Sequence, residues 1–600
     1  MADEPVKIKP AGFLLIFLVI LGLAGIGVYW WKDTLFPPPG PAVVKTDKSA
    51  VPAPTPQGSG AQQPSAPQGT NPPAPTATGG TEAPDTEGIT TVKEYSFVPA
   101  ATLPPVKGVS AYQPLQEIGG RKVVPFPINV WAGWAPIVLA NGGTAPNPNS
   151  IFAKYGVLLD LKIVDDPSAM IAAYADGTFP IGWGTLDMVP LFVERLQKDS
   201  RAMPRVFQQV DWSNGGDGIV VRTAMAQKIQ DLKGKTIVLA QNSPSHYFLL
   251  SMLVNAGLRA PRADGSGGDV QLKFTADAFQ AASAFVNDPS IAACVSWAPD
   301  IYRISEKVKG TKLLVSTQTA NKLIADVWYA RADFARDHLD LCKGIVRGIF
   351  DGMEKMKTEE GRAQAAKLLA AAYKLPEADA QGMLGDAHLT NWAENREFFM
   401  NSQNPTNFER VWSNASNLYA RIGAVKTVVV FDQISDFSII QELGSVEPYK
   451  SSKDEYTSSF DGLSIETVAE SNEILARVER IHFPPNSDDL NAKNPNGLPY
   501  DPNVSVVVED VGTMVGTFGN AQIVIEGHTD ASMRGKVSPQ LVIELSERRA
   551  NAVKQALIQK FDFNEKQILV KGLGWDKLAD KANHARNRRV EVKVYPLEQK

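Results

Sequence analysis

The sequence predicts an α/β protein with a mostly parallel sheet, joined to a smaller α+β domain and preceded by a transmembrane helix. Three observations carry this. From Ile128 to about Leu443, short β-branched runs alternate with amphipathic helical stretches, the pattern of a sheet covered on both faces. Beyond residue 463 the order changes to helices, one strand, a long helix and further strands. Residues 11–31, AGFLLIFLVILGLAGIGVYWW, carry no charge over 21 positions, enough to cross a hydrocarbon core. At 600 residues the chain exceeds what one core can organise.

Taken in order, residues 1–10 read as a cytoplasmic tail, because Lys7 and Lys9 precede the apolar span and only Lys32 follows closely. Tyr29, Trp30 and Trp31 form an aromatic belt at its far end. The stretch exceeds a signal-peptide core and no A-x-A cleavage site follows. No cysteine follows it closely, which excludes a lipoprotein anchor. Residues 32–90 are rich in Pro, Ala and Gly and read as a disordered linker. Such a tether reaches roughly 40 Å as a coil and about 160 Å as extended polyproline II.

Composition excludes some chemistry. Cys294 and Cys342 are the only cysteines, with no CxxC and no adjacent histidine, so a structural zinc site lacks ligands. No cofactor is expected. Net charge is −5 and is by itself neutral on nucleic acid; no such partner is expected. Residues 521–600 run the other way, with 15 Lys/Arg against 10 Asp/Glu.

In the middle of the chain, PINVWAG (127–133) reads as a strand entering a loop and VLLDLKIV (157–164) as a strand. DPSAMIAAYADG (166–177) reads as a helix with Asp166 or Ser168 at its N-cap and Gly177 past its end. GKTIVLA (234–240) is a strand, and SPSHYFLLSMLVNAG (243–257) a helix started by Ser243 or Ser245. Ligands of such sheets bind at strand carboxyl ends, against helix N-termini.

The phrases NVWAGWAPIVLANG, DPSAMIAAYADGTFPIGWGTLD, GGDGIVV, DLKGKTIVLAQNSPSHYFL and VSWAPD fall in an order that resembles periplasmic solute-binding proteins of the nitrate/sulfonate/taurine type. PTNFERVWSNASNLYARIG (405–423) is similar to their closing helix. The resemblance implies a two-lobed periplasmic-binding-protein fold (type II) over residues 100–445. It implies a cleft lined by Trp131, Gly133, Trp134, Gly184, Thr185, Asp187, Gly216, Asp217, Ser243, Ser245, His246, Trp297 and Asp300. Ser245 reads equally as an N-cap, His246 as packing, and each tryptophan as core. Asp187 and Asp300 argue against a strongly anionic ligand, and the solute stays open. Thiamine pyrimidine synthases, similar in fold, use a cysteine-rich motif; AACVSWAP has only Cys294, so no enzyme and no catalytic residue is expected.

Residues 446–462 form a polar linker. After it come a helix at 464–481, a second helical stretch ending at Gly519, the strand AQIVIEGHTD (521–530), the helix 541–561, ILVKGLGWDK (568–577) and the strand RRVEVKVYP (588–596). His528 and Asp530 alternate on one strand. A metal there lacks further ligands, since only His482 and His584 are local and neither has supporting spacing. Asp530 as an ammonium acceptor and Arg549 as a planar fork together suit an amino-acid zwitterion.

IVIEGHTD, LSERRANAV and NRRVEV, in order across the C-terminal region, closely resemble the OmpA-like peptidoglycan-binding domain, here 463–600. The resemblance implies that Asp530 and Arg549, with Thr529, Asn587 and Arg588 around them, bind the free end of diaminopimelate in the stem peptide. His528 would orient the loop. Val542 stands where the family has asparagine, and the loop after Asp530 is longer.

The combined expectation is a single-pass inner-membrane protein with its bulk in the periplasm. It would bind a small solute, serve an ABC importer permease or a sensor, and hold peptidoglycan. The alternative is an envelope scaffold whose binding fold contacts proteins. A stator-like reading requires an intramembrane acid, and residues 11–31 hold none.

Overall fold

A computed structural model describes residues 88–101, 103, 106–461, 464–469 and 472–597, within the compact unit Pro84–Lys600. The expected tail at 1–10, the anchor at 11–31 and linker residues 32–87 lie outside the described residues. Among the described residues no helix is long and apolar enough to cross a membrane.

The first half of the α/β region holds two sheets. Arg121–Ile128 and Val157–Ile163 pair in parallel, with Lys122 opposite Val157. A four-stranded sheet runs Ala387–Leu389, Pro204–Ser213, Ala325–Arg331, Ile181–Thr185, every pair antiparallel. Ala325–Arg331 is buried at all seven positions, as its apolar run ADVWYAR requires of a central strand. Trp328 anchors the core, its ring 5.9 Å from Phe126 and 5.7 Å from Phe207. The second half is a six-stranded sheet whose parallel centre is Thr236–Ala240 between Gln271–Thr275 and Ala293–Trp297.

The sheets are therefore mixed rather than mostly parallel. The chain passes from Pro204–Ser213 directly into Asp217–Arg222 of the other half. A strand arriving with no helical crossover is free to enter antiparallel, as Asp217–Arg222 does against Ala293–Trp297. Helix signals held: Asp166 caps Pro167–Ala175 by accepting from Ser168 N at 2.8 Å, and Gly177 follows at φ +84°. Cys294 and Cys342 are buried free thiols.

The C-terminal sheet runs Leu475–Glu479, Arg589–Pro596, Ala521–His528, Ile568–Gly572. Helices Val504–Thr517 and Pro539–Lys560 pack with it. The helix expected across 464–481 is only Ile465–Ala469. Leu475–Glu479 is instead an edge strand against Arg589–Pro596, because ladder pairing with a distant strand outweighs local propensity.

This domain is docked rather than loosely linked. Ile229 N donates to Ile474 O at 3.0 Å, Lys228 pairs with Glu473 at 2.8 Å and Arg410 with Glu509 at 2.5 Å. The polar segment expected as a linker is also held: Tyr456 stacks on His388 at 3.7 Å and donates to Asn214 Oδ1. One hydrophobic cluster runs from Val124 to Val594.

Candidate functional site

Between the two halves, strand register gathers acids. Asp326 stands opposite Asp211 on one side and opposite Thr185, two residues before Asp187, on the other. Asp217 begins the strand that enters the second half. All four carboxyls are buried, and each is at most 5% exposed. Trp131 Nε1 donates to both Asp211 oxygens at 3.3 Å. Ser213 Oγ donates to Asp217 Oδ2 at 2.9 Å, and Thr317 Oγ1 lies 2.9 Å from Ser213 Oγ. Tyr419 OH is buried without a hydrogen-bonding partner, and the Asp187 carboxyl has only a loose contact with the Thr185 hydroxyl two residues before it.

Burial pushes Asp187, Asp211 and Asp217 each up to about 7. Burial, then the charges of Asp211, Asp217 and Asp187, raises Asp326 well above the usual carboxylate range. Asp386, whose charge acts on Asp217, is pushed to about 7 by burial as well. Among the described residues no salt bridge joins the four central acids to a Lys or Arg.

The other residues expected in the cleft are placed as follows. A Cβ at Gly133 would overlap the Asp211 carboxylate, so glycine is what lets the Trp131 loop sit there. Gly216 is met by the Trp131 ring in the same way, and Gly184 ends its strand beside Thr185. Trp134 is core, its Nε1 donating to Asn129 Oδ1 at 2.6 Å. Ser243 occupies the N-cap of Pro244–Asn255, yet its hydroxyl donates to Ala240 O and caps nothing. Ser245 Oγ and His246 Nε2 are buried without partners. Burial pulls His246 down to about 4, leaving a neutral ring edge-on to Phe274 at 5.9 Å. Trp297 stands opposite Asp217 and packs on Phe279 at 5.8 Å. Asp300 is committed elsewhere: both its oxygens accept from Thr91 N at 2.9 Å. Sequence reasoning missed Asp211, Ser213, Thr317, Asp326 and Tyr419. An acid inside an apolar strand run, as in RVFQQVDWS and IADVWYA, is the signal that marks the two aspartates.

In the C-terminal domain the strand ends at His528, so Asp530 sits just past it in the loop rather than on the strand. Its Oδ1 accepts from Ser532 N at 2.8 Å and its Oδ2 from Arg588 Nη1 at 2.6 Å. Burial works against ionisation, but the Ser532 and Arg588 hydrogen bonds outweigh it and hold the carboxyl below its ordinary range. Arg549 donates Nε to Ser487 O at 3.0 Å and Nη2 to Pro484 O at 3.1 Å, its guanidinium 4.9 Å above Phe483. Burial, with the nearby Arg588 charge, lowers it, while Asp488 and Asp530 pull the other way. Asp530 and Arg549 thus feel each other without forming an ion pair within 4.0 Å. A Cβ at Gly527 would strike Ser546 O, so glycine permits the close strand–helix approach that brings the two together.

Thr529 N donates to Gly574 O at 2.8 Å, and its hydroxyl is buried without a partner. The Asn587 amide is spent on its own loop, accepting from Asp580 N at 3.0 Å and donating to Asp580 O at 2.6 Å; that loop presents Arg588. His528 is buried with neither ring nitrogen partnered, and burial first holds it down to about 4. It forms with Glu526 and Glu591 the one group close enough for a metal among the described residues. Lys593 at 2.8 Å and Arg589 at 2.6 Å already neutralise those carboxylates, so a cation there would meet two others.

Residues 483–591 match the OmpA family. Over 255 residues the chain is 26% identical to the taurine-binding periplasmic protein of Escherichia coli (strain K12), covering 40% of this chain and 72% of that one. Over 95 residues it is 34% identical to the outer membrane protein Omp38 of Acinetobacter baumannii, covering 15% of this chain and 24% of the relative. Among solved structures, the alkanesulfonate-binding protein SsuA from Xanthomonas axonopodis pv. citri, bound to MOPS, aligns at 17% identity, 53% and 98% coverage and a TM-score of 0.39. The chain therefore carries an OmpA-family match at its C-terminal end and, before it, a region similar in sequence to a taurine-binding periplasmic protein.

Proposed function

We propose that this chain is a non-enzymatic envelope protein that captures a small solute between its two halves and grips peptidoglycan through its OmpA domain. Residues 11–31 hold it in the inner membrane as a single pass, and the 32–90 tether lets the rest work in the periplasm at a distance. The captured solute is handed to an ABC permease or read by a sensor. The observation that carries the wall-binding half is the arrangement of Asp530 and Arg549. Both are fixed and close enough to feel each other's charge without pairing with each other; Asp530 is held by Arg588 at 2.6 Å, so the ammonium of a diaminopimelate end shares that carboxylate with Arg588, while the Arg549 guanidinium faces the carboxylate. Arg588 supplies the further positive charge. The test is retention of the full chain on purified sacculi. Asp530→Ala or Arg549→Ala should abolish it while the circular dichroism stays native; undiminished retention in both variants refutes the assignment.

A further inference from the structure

We propose that the solute of the inter-lobe site is a compact organic cation, an amine with no anionic group, held by Asp187 with Asp211, Asp217 and Asp326 behind it. The proposal rests on the solute-binding reading above and names its ligand class.

The first argument is the missing counter-charge. Elsewhere this protein neutralises buried acids. Asp333 lies 2.8 Å from Arg331, and Glu526 lies 2.8 Å from Lys593. The four central aspartates have no such partner among the described residues, and their charges act on one another. Gathering ionised carboxyls away from water is costly unless they keep their protons, as Asp211 and Asp326 can by hydrogen-bonding each other, or something positive enters.

Tyr419 OH is buried and unpartnered and belongs, with the Thr185 hydroxyl in loose contact with Asp187, to the surroundings of Asp187, whose charge acts on the hydroxyls of both Tyr247 and Tyr419. Tyr247 comes from the second half's helix Pro244–Asn255, and Tyr419 from helix Phe408–Arg421. Their rings stand 6.2 Å apart at 41°. A carboxylate beside two aromatic rings and free hydroxyl acceptors is the chemistry that recognises an ammonium group. The tyrosines arrive from different elements, so the ligand is gripped as those elements meet.

Two competitors fit less well. An oxyanion would oppose ionisation of the four carboxyls, with no Lys or Arg among the described residues bridged to them to receive it, and the Ser243 hydroxyl at the start of Pro244–Asn255 is turned to Ala240 O. A bare divalent ion needs converging oxygens, and the one three-ligand group close enough among the described residues lies in the C-terminal domain.

The test is isothermal titration of the purified full chain in moderate salt with putrescine and choline, against taurine, methanesulfonate and nitrate. Saturable one-site binding of a cationic probe, weakened at least about tenfold by Asp187→Asn and by Asp326→Asn, is the expected result. Tyr419→Phe, which keeps the ring, should weaken it less. Saturable binding of only the anionic or zwitterionic probes overturns the cation assignment and leaves the solute-binding reading standing. Heat from none of the probes overturns both. Cation binding unchanged in Asp187→Asn and Asp326→Asn, with both variants folded by circular dichroism, places the amine elsewhere and overturns the proposal.

Discussion

In the C-terminal sheet Glu526 has Lys593 at 2.8 Å and Glu591 has Arg589 at 2.6 Å; between the halves of the binding fold, Asp187, Asp211, Asp217 and Asp326 have no cation among the described residues. Both regions bury carboxylates on neighbouring strands. They differ in whether the opposite charge is built into the chain. Where it is built in, the cluster holds shape, and beside it Asp530 and Arg549 are pre-positioned on partners of their own. Where it is left out, the fold carries a standing electrostatic cost, and such costs concentrate at sites that receive ligands.

The comparison breaks most forcefully by removing a built-in cation. Lys593→Met keeps the aliphatic stem but strands Glu526 buried and unpaired. A loss of about 3–5 kcal/mol in urea unfolding of the full chain is expected. A loss under about 1 kcal/mol would show that Lys593 is not compensating anything.

The opposite sign is expected between the halves. Asp187 has an ordinary value of 3.8 and is held up to about 7 in the fold, so the folded chain binds its proton more tightly than the unfolded one. Its contribution to stability is fully present below about pH 4 and is lost as pH climbs through about 7. Asp187→Asn removes that loss. The variant should match the ligand-free parent near pH 4 and exceed it by about 1–3 kcal/mol at pH 8, read by thermal melts across the range. A variant less stable than the parent at pH 8 would mean that Asp187 has a counter-charge after all.

Much of this arrangement was legible in the residues, and the part that was not has a common cause. IEGHTD and LSERRA are local strings, so Asp530 and Arg549 could be named before their surroundings were known. The helix start at Asp166 was legible because capping acts over three or four residues, whereas Ser243 stands at its helix start without capping it. Asp211 and Asp326 escaped because they meet through register between strands 115 positions apart, which no local pattern encodes. Asp300 read as a cleft residue because nothing near it in sequence announces Thr91, 209 positions away, as its partner. Leu475–Glu479 read as helix because its strand partner, Arg589–Pro596, lies more than 100 residues further along. Directions of strands failed for the same reason: they depend on how the chain crosses between halves, not on what any one run contains.

The smallest effect is expected where charge compensation is present but burial is not. Lys566 Nζ lies 2.5 Å from Asp461, as close as any ion pair among the described residues, yet the two side chains are 66% and 74% exposed. Water already solvates both ions, salt screens their attraction, and holding two long side chains together costs entropy. Lys566→Met should therefore leave the melting midpoint of the full chain unchanged within error, at low and at high salt. A drop approaching that of Lys593→Met would show that proximity alone sets the worth of a pair here. The contrast between the sheet and the acid site would then no longer be one of buried charge with and without a partner.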